Sequence, residues 1–145
     1  MLKFSLVLFL LLGLGFVVVG LIYFTTSEFM PYHSQAIQTD WSALHPNHQG
    51  LFLGLLKGLA AGEIIAGLAT AFMSLMSLRF SARPYVILLP VVCLGYSILI
   101  TYATYVVHTT TPGEPPLMLG VLSILQAAIA SVLLQVGVRR ELADG

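Results

Sequence analysis

Residues 4–24 read FSLVLFLLLGLGFVVVGLIYF, a run of 21 residues whose only polar side chains are Ser5 and Tyr23. At about 1.5 Å of rise per residue, such a helix reaches across a hydrocarbon core of about 30 Å. Lys3 ahead of it also fits the start of a signal peptide. The apolar stretch, however, exceeds the roughly 7 to 15 residues of a signal core and no small-x-small cleavage site follows, so an uncleaved span is expected. Three more apolar runs occupy residues 51–78, interrupted by Lys57 and Glu63, then 85–107 and 117–138. Hydrophobic residues make up 58% of the chain and charged ones 8%. Soluble domains carry about a quarter charged residues, so a water-soluble fold is excluded. The expected architecture is all-α: one domain over residues 1–145, an integral membrane four-helix bundle with a short interfacial segment between the first two spans.

Pro31, Pro46, Pro84, Pro112, Pro115 and Pro116 fall between or at the edges of these runs, where a missing amide is tolerated; Pro90 lies inside the third run and predicts a kink there. Basic residues near span ends are retained in the cytoplasm. Lys3, Arg79, Arg83, Arg139 and Arg140 cluster at one set of ends, while the opposite loops, residues 25–50 and 108–116, carry no Lys or Arg. Both termini are therefore expected inside and all four histidines outside. In the first outer loop, Thr39 or Asp40 suits the cap of a short helix, and the rings of Tyr32 and Trp41 suit the membrane interface. Net charge is formally zero with no basic run, so the lipid bilayer is the expected partner and nucleic acid is not. Cys93 is the only cysteine, which excludes an intrachain disulfide, a dithiol pair and a cysteine-based zinc ribbon.

Every fourth residue of the second run is small: Gly50, Gly54, Gly58, Gly62, Ala66, Thr70 and Ser74. Small residues at this spacing let another helix backbone approach closely, which matters in lipid because apolar side chains gain little by leaving apolar tails. The row precesses by about 40° per step on an ideal helix, so two neighbours are expected, one near Gly50 to Gly62 and one toward Ser74. Shorter rows recur as Cys93-Ser97-Thr101 and Ser123-Ala127-Ser131-Gln135. Packing within one bundle is the first expectation, and a seam for a second copy or a partner protein is the alternative.

Glu63 lies near the centre of its span, where an ionised carboxylate costs several kcal/mol. It is expected to face the interior, hydrogen-bonded to groups such as Gln126, Tyr96, Ser97 or Thr101, or paired with a cation. Lys57 stands six residues away, about 9 Å along the axis and about 120° around it, which disfavours a direct pair. Its stem is expected to snorkel toward outer headgroups or toward Glu28, Asp40 and Glu114. A proton path or ligand contact at Glu63 and a buried polar clasp weigh equally.

His45 and His48, with His33 and His108 on the same expected face, have the chemistry of a metal site that Glu28, Asp40 and Glu114 could complete. Pro46 weakens a helical ligand pair at His45 and His48. Most of the extramembrane chain lies on that face, so ordinary interfacial histidines are the first expectation. Haem held between spans would want histidines inside them, and no Cys-x-x-Cys-His occurs. There is no glycine-rich phosphate loop, Gly-x-Ser-x-Gly elbow or His-Glu-x-x-His. A non-enzymatic role is expected, with no cofactor ahead of a metal or haem.

Gly20-Leu21-Ile22-Tyr23, Glu28-Phe29-Met30-Pro31-Tyr32-His33, Trp41 and the glycine-rich second span resemble the small four-helix bacterial membrane proteins described as DoxX-like, over about the first half of the chain. That group includes accessory membrane subunits of quinone-linked oxidoreductases. The resemblance implies an inner-membrane protein with a membrane-protein partner and transfers no site residues. The leading expectation is thus a non-catalytic accessory or assembly subunit, or homo-oligomer, packed through the small-residue row. An outer-face metal or redox site and a small transporter or proton path through Glu63 are the alternatives.

Overall fold

The computed structural model describes residues 1–80 and 83–143. Its elements are α1 (Leu2–Thr25), α2 (Pro31–Ile37), a 3-10 turn (Trp41–Ala43), α3 (Pro46–Phe80), α4 (Arg83–Thr110) and α5 (Leu117–Ala143). α1, α3, α4 and α5 are long and apolar enough to cross a membrane, which marks an integral membrane protein. The turn expected between the second and third spans, residues 81–82, lies outside the described residues. α3 starts five residues before the apolar run because Pro46 occupies its first position, where no helical amide is needed. Pro46 therefore initiates a helix rather than interrupting one. Pro90 lies inside α4, which continues as a single helix to Thr110.

The most extensive contact is α1 against α3, followed in decreasing extent by α4 on α5, α5 on α1 and α3 on α4. The α1–α3 seam is antiparallel and built on glycine. A Cβ added at Gly67 would lie 2.5 Å from the carbonyl oxygen of Gly13 and 2.8 Å from the amide nitrogen of Val17, and one added at Gly13 would lie 2.8 Å from Gly67 O. One at Gly20 would meet Ala60 O at 2.9 Å. At such distances backbone dispersion replaces side-chain interdigitation.

Toward the termini the four long helices enclose a solid core containing Leu6, Phe9, Met73, Leu89, Cys93 and Leu134. Two hydroxyls in this region bond back along their own helices, Ser74 to Thr70 O at 2.8 Å and Ser131 to Ala127 O at 2.6 Å, and enter apolar surroundings satisfied, whereas the buried Ser77 hydroxyl has no partner among the described residues. Thr70 and Cys93 bridge α3 and α4 at 3.4 Å.

At the opposite end the long first loop is ordered by aromatic packing. Phe29 is buried and makes edge contacts with Trp41 at 4.9 Å and Phe52 at 5.8 Å. α2 buries no residue fully and is held by its neighbours. Gly113 lies against Tyr32 O, where a Cβ would sit at 2.7 Å, and the Glu114 amide donates to Gln35 Oε1 at 3.3 Å. Asp40 precedes the 3-10 turn, without a side-chain capping bond.

The start of α2 depends on a neutral histidine, since Met30 N donates to His33 Nδ1 at 3.0 Å. Burial lowers the pKa of His33 from its ordinary 6.5. The folded chain thus binds fewer protons here than the unfolded one. The contribution is complete above about pH 6.5 and is lost as pH falls through the lower folded value. Protection of the amides across residues 32–37, taken relative to the intrinsic exchange rate at each pH, is expected to fall on acidification below about pH 6 and to lose that dependence in His33→Gln. Protection unchanged by acid in the parent chain would contradict this account.

A candidate ligand site at Glu63

Glu63 is the middle residue of the 35-residue α3, and its heptad neighbours Leu56, Ala60 and Gly67 turn it toward α1. Its side chain is 5% exposed, and Oε2 is buried without a hydrogen-bond partner among the described residues. The interior position agrees with expectation, but the expected polar clasp does not form. Gln126 Nε2 donates to Leu8 O at 2.9 Å, Thr101 to Ser97 O at 2.6 Å, and the Ser97 hydroxyl is itself buried and unpartnered.

Glu63 instead lines a cavity of about 340 Å³ with Phe16, Tyr23, Tyr32, Thr104, Ser123 and Gln126 among its walls. This is within the range of small-molecule sites, about 300 to 1,000 Å³. A second space of about 510 Å³ adjoins it toward the loops, sharing Val19, Tyr23, Tyr32, Pro116 and Leu119 and adding Gln35 and Glu114. Where the two meet, the hydroxyls of Tyr23 and Tyr32 are bonded at 2.8 Å. Burial, the bond with Tyr23 and the nearby Glu63 carboxylate hold the Tyr32 phenol well above its ordinary range. The phenol therefore stays protonated, and of the two tyrosine O–H groups one is spent on the mutual bond and one remains.

Lys57 takes no part. Its Nζ donates to Phe24 O at 2.7 Å and Thr26 O at 3.3 Å and lies 5.3 Å from the Phe24 ring centroid. It snorkels toward the loop end as expected, but its partners are carbonyls at the end of α1, where a cation is favoured, rather than carboxylates.

The small-residue row divides in two. Thr70 and Ser74 are buried, whereas Gly50, Gly54, Gly58 and Gly62 are exposed and a Cβ on any of them would meet nothing within 4 Å. Among the described residues, none supplies the neighbour expected near Gly50 to Gly62. α1 already covers the Ala60 and Gly67 face, and α4 touches α3 around Thr70, closer to the termini.

The histidines do not converge. His33 caps α2, the rings of His45 and His48 are 6.1 Å apart, and His108 ends α4. Among the described residues, no group of three or more His, Cys, Asp or Glu side chains is placed to hold a metal ion.

The tyrosine pair was missed by sequence reasoning, although Tyr23 is the only polar side chain in the C-terminal half of the first run. No protein-family model, curated protein or solved structure matches this chain, so the reading of the site rests on its own geometry.

Proposed function

We propose that this chain is a non-enzymatic carrier or transporter in a cytoplasmic membrane, whose working part is the Glu63 cavity. In this reading the four long helices form one bundle across the bilayer with both termini inside, as the placement of Lys3, Arg79, Arg139 and Arg140 favours. The cavity then opens outward through Tyr23, Tyr32 and α2. The observation that carries the proposal is the buried, unpartnered carboxylate oxygen lining a cavity. A polar group so placed is costly unless something completes its bonding.

Dicyclohexylcarbodiimide, which attacks carboxyl groups from the apolar phase, tests the site. The expected result in native membranes is a single adduct on the peptide containing Glu63, abolished in Glu63→Gln. Modification confined to Glu28, Asp40, Glu114 or Glu141 would sink the proposal.

A second reading, an accessory or assembly subunit docked through Gly50 to Gly62, is favoured by the open space over those four glycines. The two roles are compatible, since Glu63 and the glycine row lie on different faces of α3.

A further inference from the structure

The chemistry of the cavity walls narrows what Glu63 can take. Neither adjoining space has a Lys, Arg or His in its walls, and the charged residues they contain are Glu63 and Glu114, both acidic. The hydroxyl protons of Ser123 and Thr104 are spent on Gly120 O at 2.7 Å and Ile100 O at 2.9 Å, which leaves oxygen lone pairs. The Gln126 amide has given one N–H to Leu8 O at 2.9 Å. One tyrosine O–H and one Gln126 N–H remain as donors among these acceptors, but neither reaches Glu63 Oε2, and for the ionised carboxylate the missing complement is a donor. Opposite negative charge, with Phe16, Tyr23 and Tyr32 presenting aromatic surface in the same walls, that donor is best carried by a cation.

A bare metal ion fits poorly. Hard cations want about six oxygen ligands, and no cluster of acidic, His or Cys side chains surrounds Glu63 among the described residues. The remaining wall is apolar, formed by Leu12, Val19, Leu59, Ile100, Leu119 and Leu122, of which Leu59, Leu119 and Leu122 are also exposed on the outside of the helices. Such a wall suits an apolar body behind the charged head, with room to reach toward lipid.

We infer that the cavity binds an organic ammonium, a protonated amine on an apolar body, whose N–H donates to Glu63 Oε2. The inference rests on the reading of Glu63 as a ligand site and adds the class of ligand. It assigns Glu63 as the charge partner, the tyrosine pair as the aromatic gate and Glu114 as the outer attractor.

The probe is n-octylammonium, with n-octanol as a neutral donor of the same length, titrated into the full chain in lipid nanodiscs. Saturable octylammonium binding is expected, weakened at least tenfold in Glu63→Gln, with octanol unable to distinguish the two proteins. Because Glu63→Gln can disturb folding, a second measurement uses the unaltered chain: octylammonium is expected to protect Glu63 from dicyclohexylcarbodiimide, and octanol is not. Leu59→Trp, which fills the cavity and keeps the carboxylate, is expected to abolish binding. Protection by octanol equal to that by octylammonium would overturn the cationic assignment in favour of a neutral hydroxyl ligand. Carbodiimide labelling with no protection by either probe would overturn the ligand class while leaving the site reading standing; no labelling at all would remove both.

Discussion

Replacing Gly67 with leucine is expected to disrupt the α1–α3 seam and cost the protein most of its stability. The added Cβ alone would lie 2.5 Å from Gly13 O and 2.8 Å from Val17 N. Both obstacles are backbone, so no rotamer change relieves the clash and the two helices must separate. Overpacking commonly costs about 1 to 3 kcal/mol and more where nothing can give, and this site belongs at the upper end. Removing a helical glycine returns about 1 kcal/mol of propensity, which is too little to compensate. The check is the thermal midpoint in mild detergent, with loss of the monodisperse species on size exclusion. Gly13→Leu should behave the same way, since Gly13 and Gly67 face each other, and Gly54→Leu should be harmless to the isolated chain. A Gly67→Leu protein with an unchanged midpoint would show that this seam is not what holds α1 to α3.

The four spans were legible because about 20 consecutive apolar residues have few other meanings. The seam was read with the wrong period. Taking every fourth residue singled out Gly50 through Gly62, a row that drifts around the helix. The contacts instead use small residues seven apart, Gly13 and Gly20 on α1 against Ala60 and Gly67 on α3. A spacing of seven stays nearly on one face over two turns, which is what a long antiparallel neighbour requires. Both patterns coexist in α3, and composition alone cannot say which one a neighbour occupies. For Glu63, its depth and inward direction followed from the cost of charge in lipid. Its lack of a partner did not, because that depends on where Gln126, Thr101 and Ser97 spend their own bonds. α2 was illegible for a different reason. Seven residues with none fully buried carry little pattern, and the helix is fixed by distant groups, Gly113, the Glu114 amide and Tyr23.

Gly58→Leu separates folding from association, and its expected effect on association is nearly all or none. A Cβ there meets nothing within 4 Å, so the isolated chain should unfold at an unchanged or slightly higher temperature, given the better helix propensity of leucine. If the exposed glycines receive a second helix from another copy or a partner subunit, the branched side chain takes the space where that backbone would lie, and close approach is lost. The expected result is normal membrane abundance and normal thermal behaviour of the monomer, with at least a tenfold loss of cross-linked or co-purified complex. Leu53→Ala is the matching control, because Leu53 lies about 140° around α3 from Gly58 in an ideal helix. Association that survives Gly58→Leu undiminished would leave the glycine row facing lipid, and the chain would then have to work through the Glu63 cavity without a partner on that face.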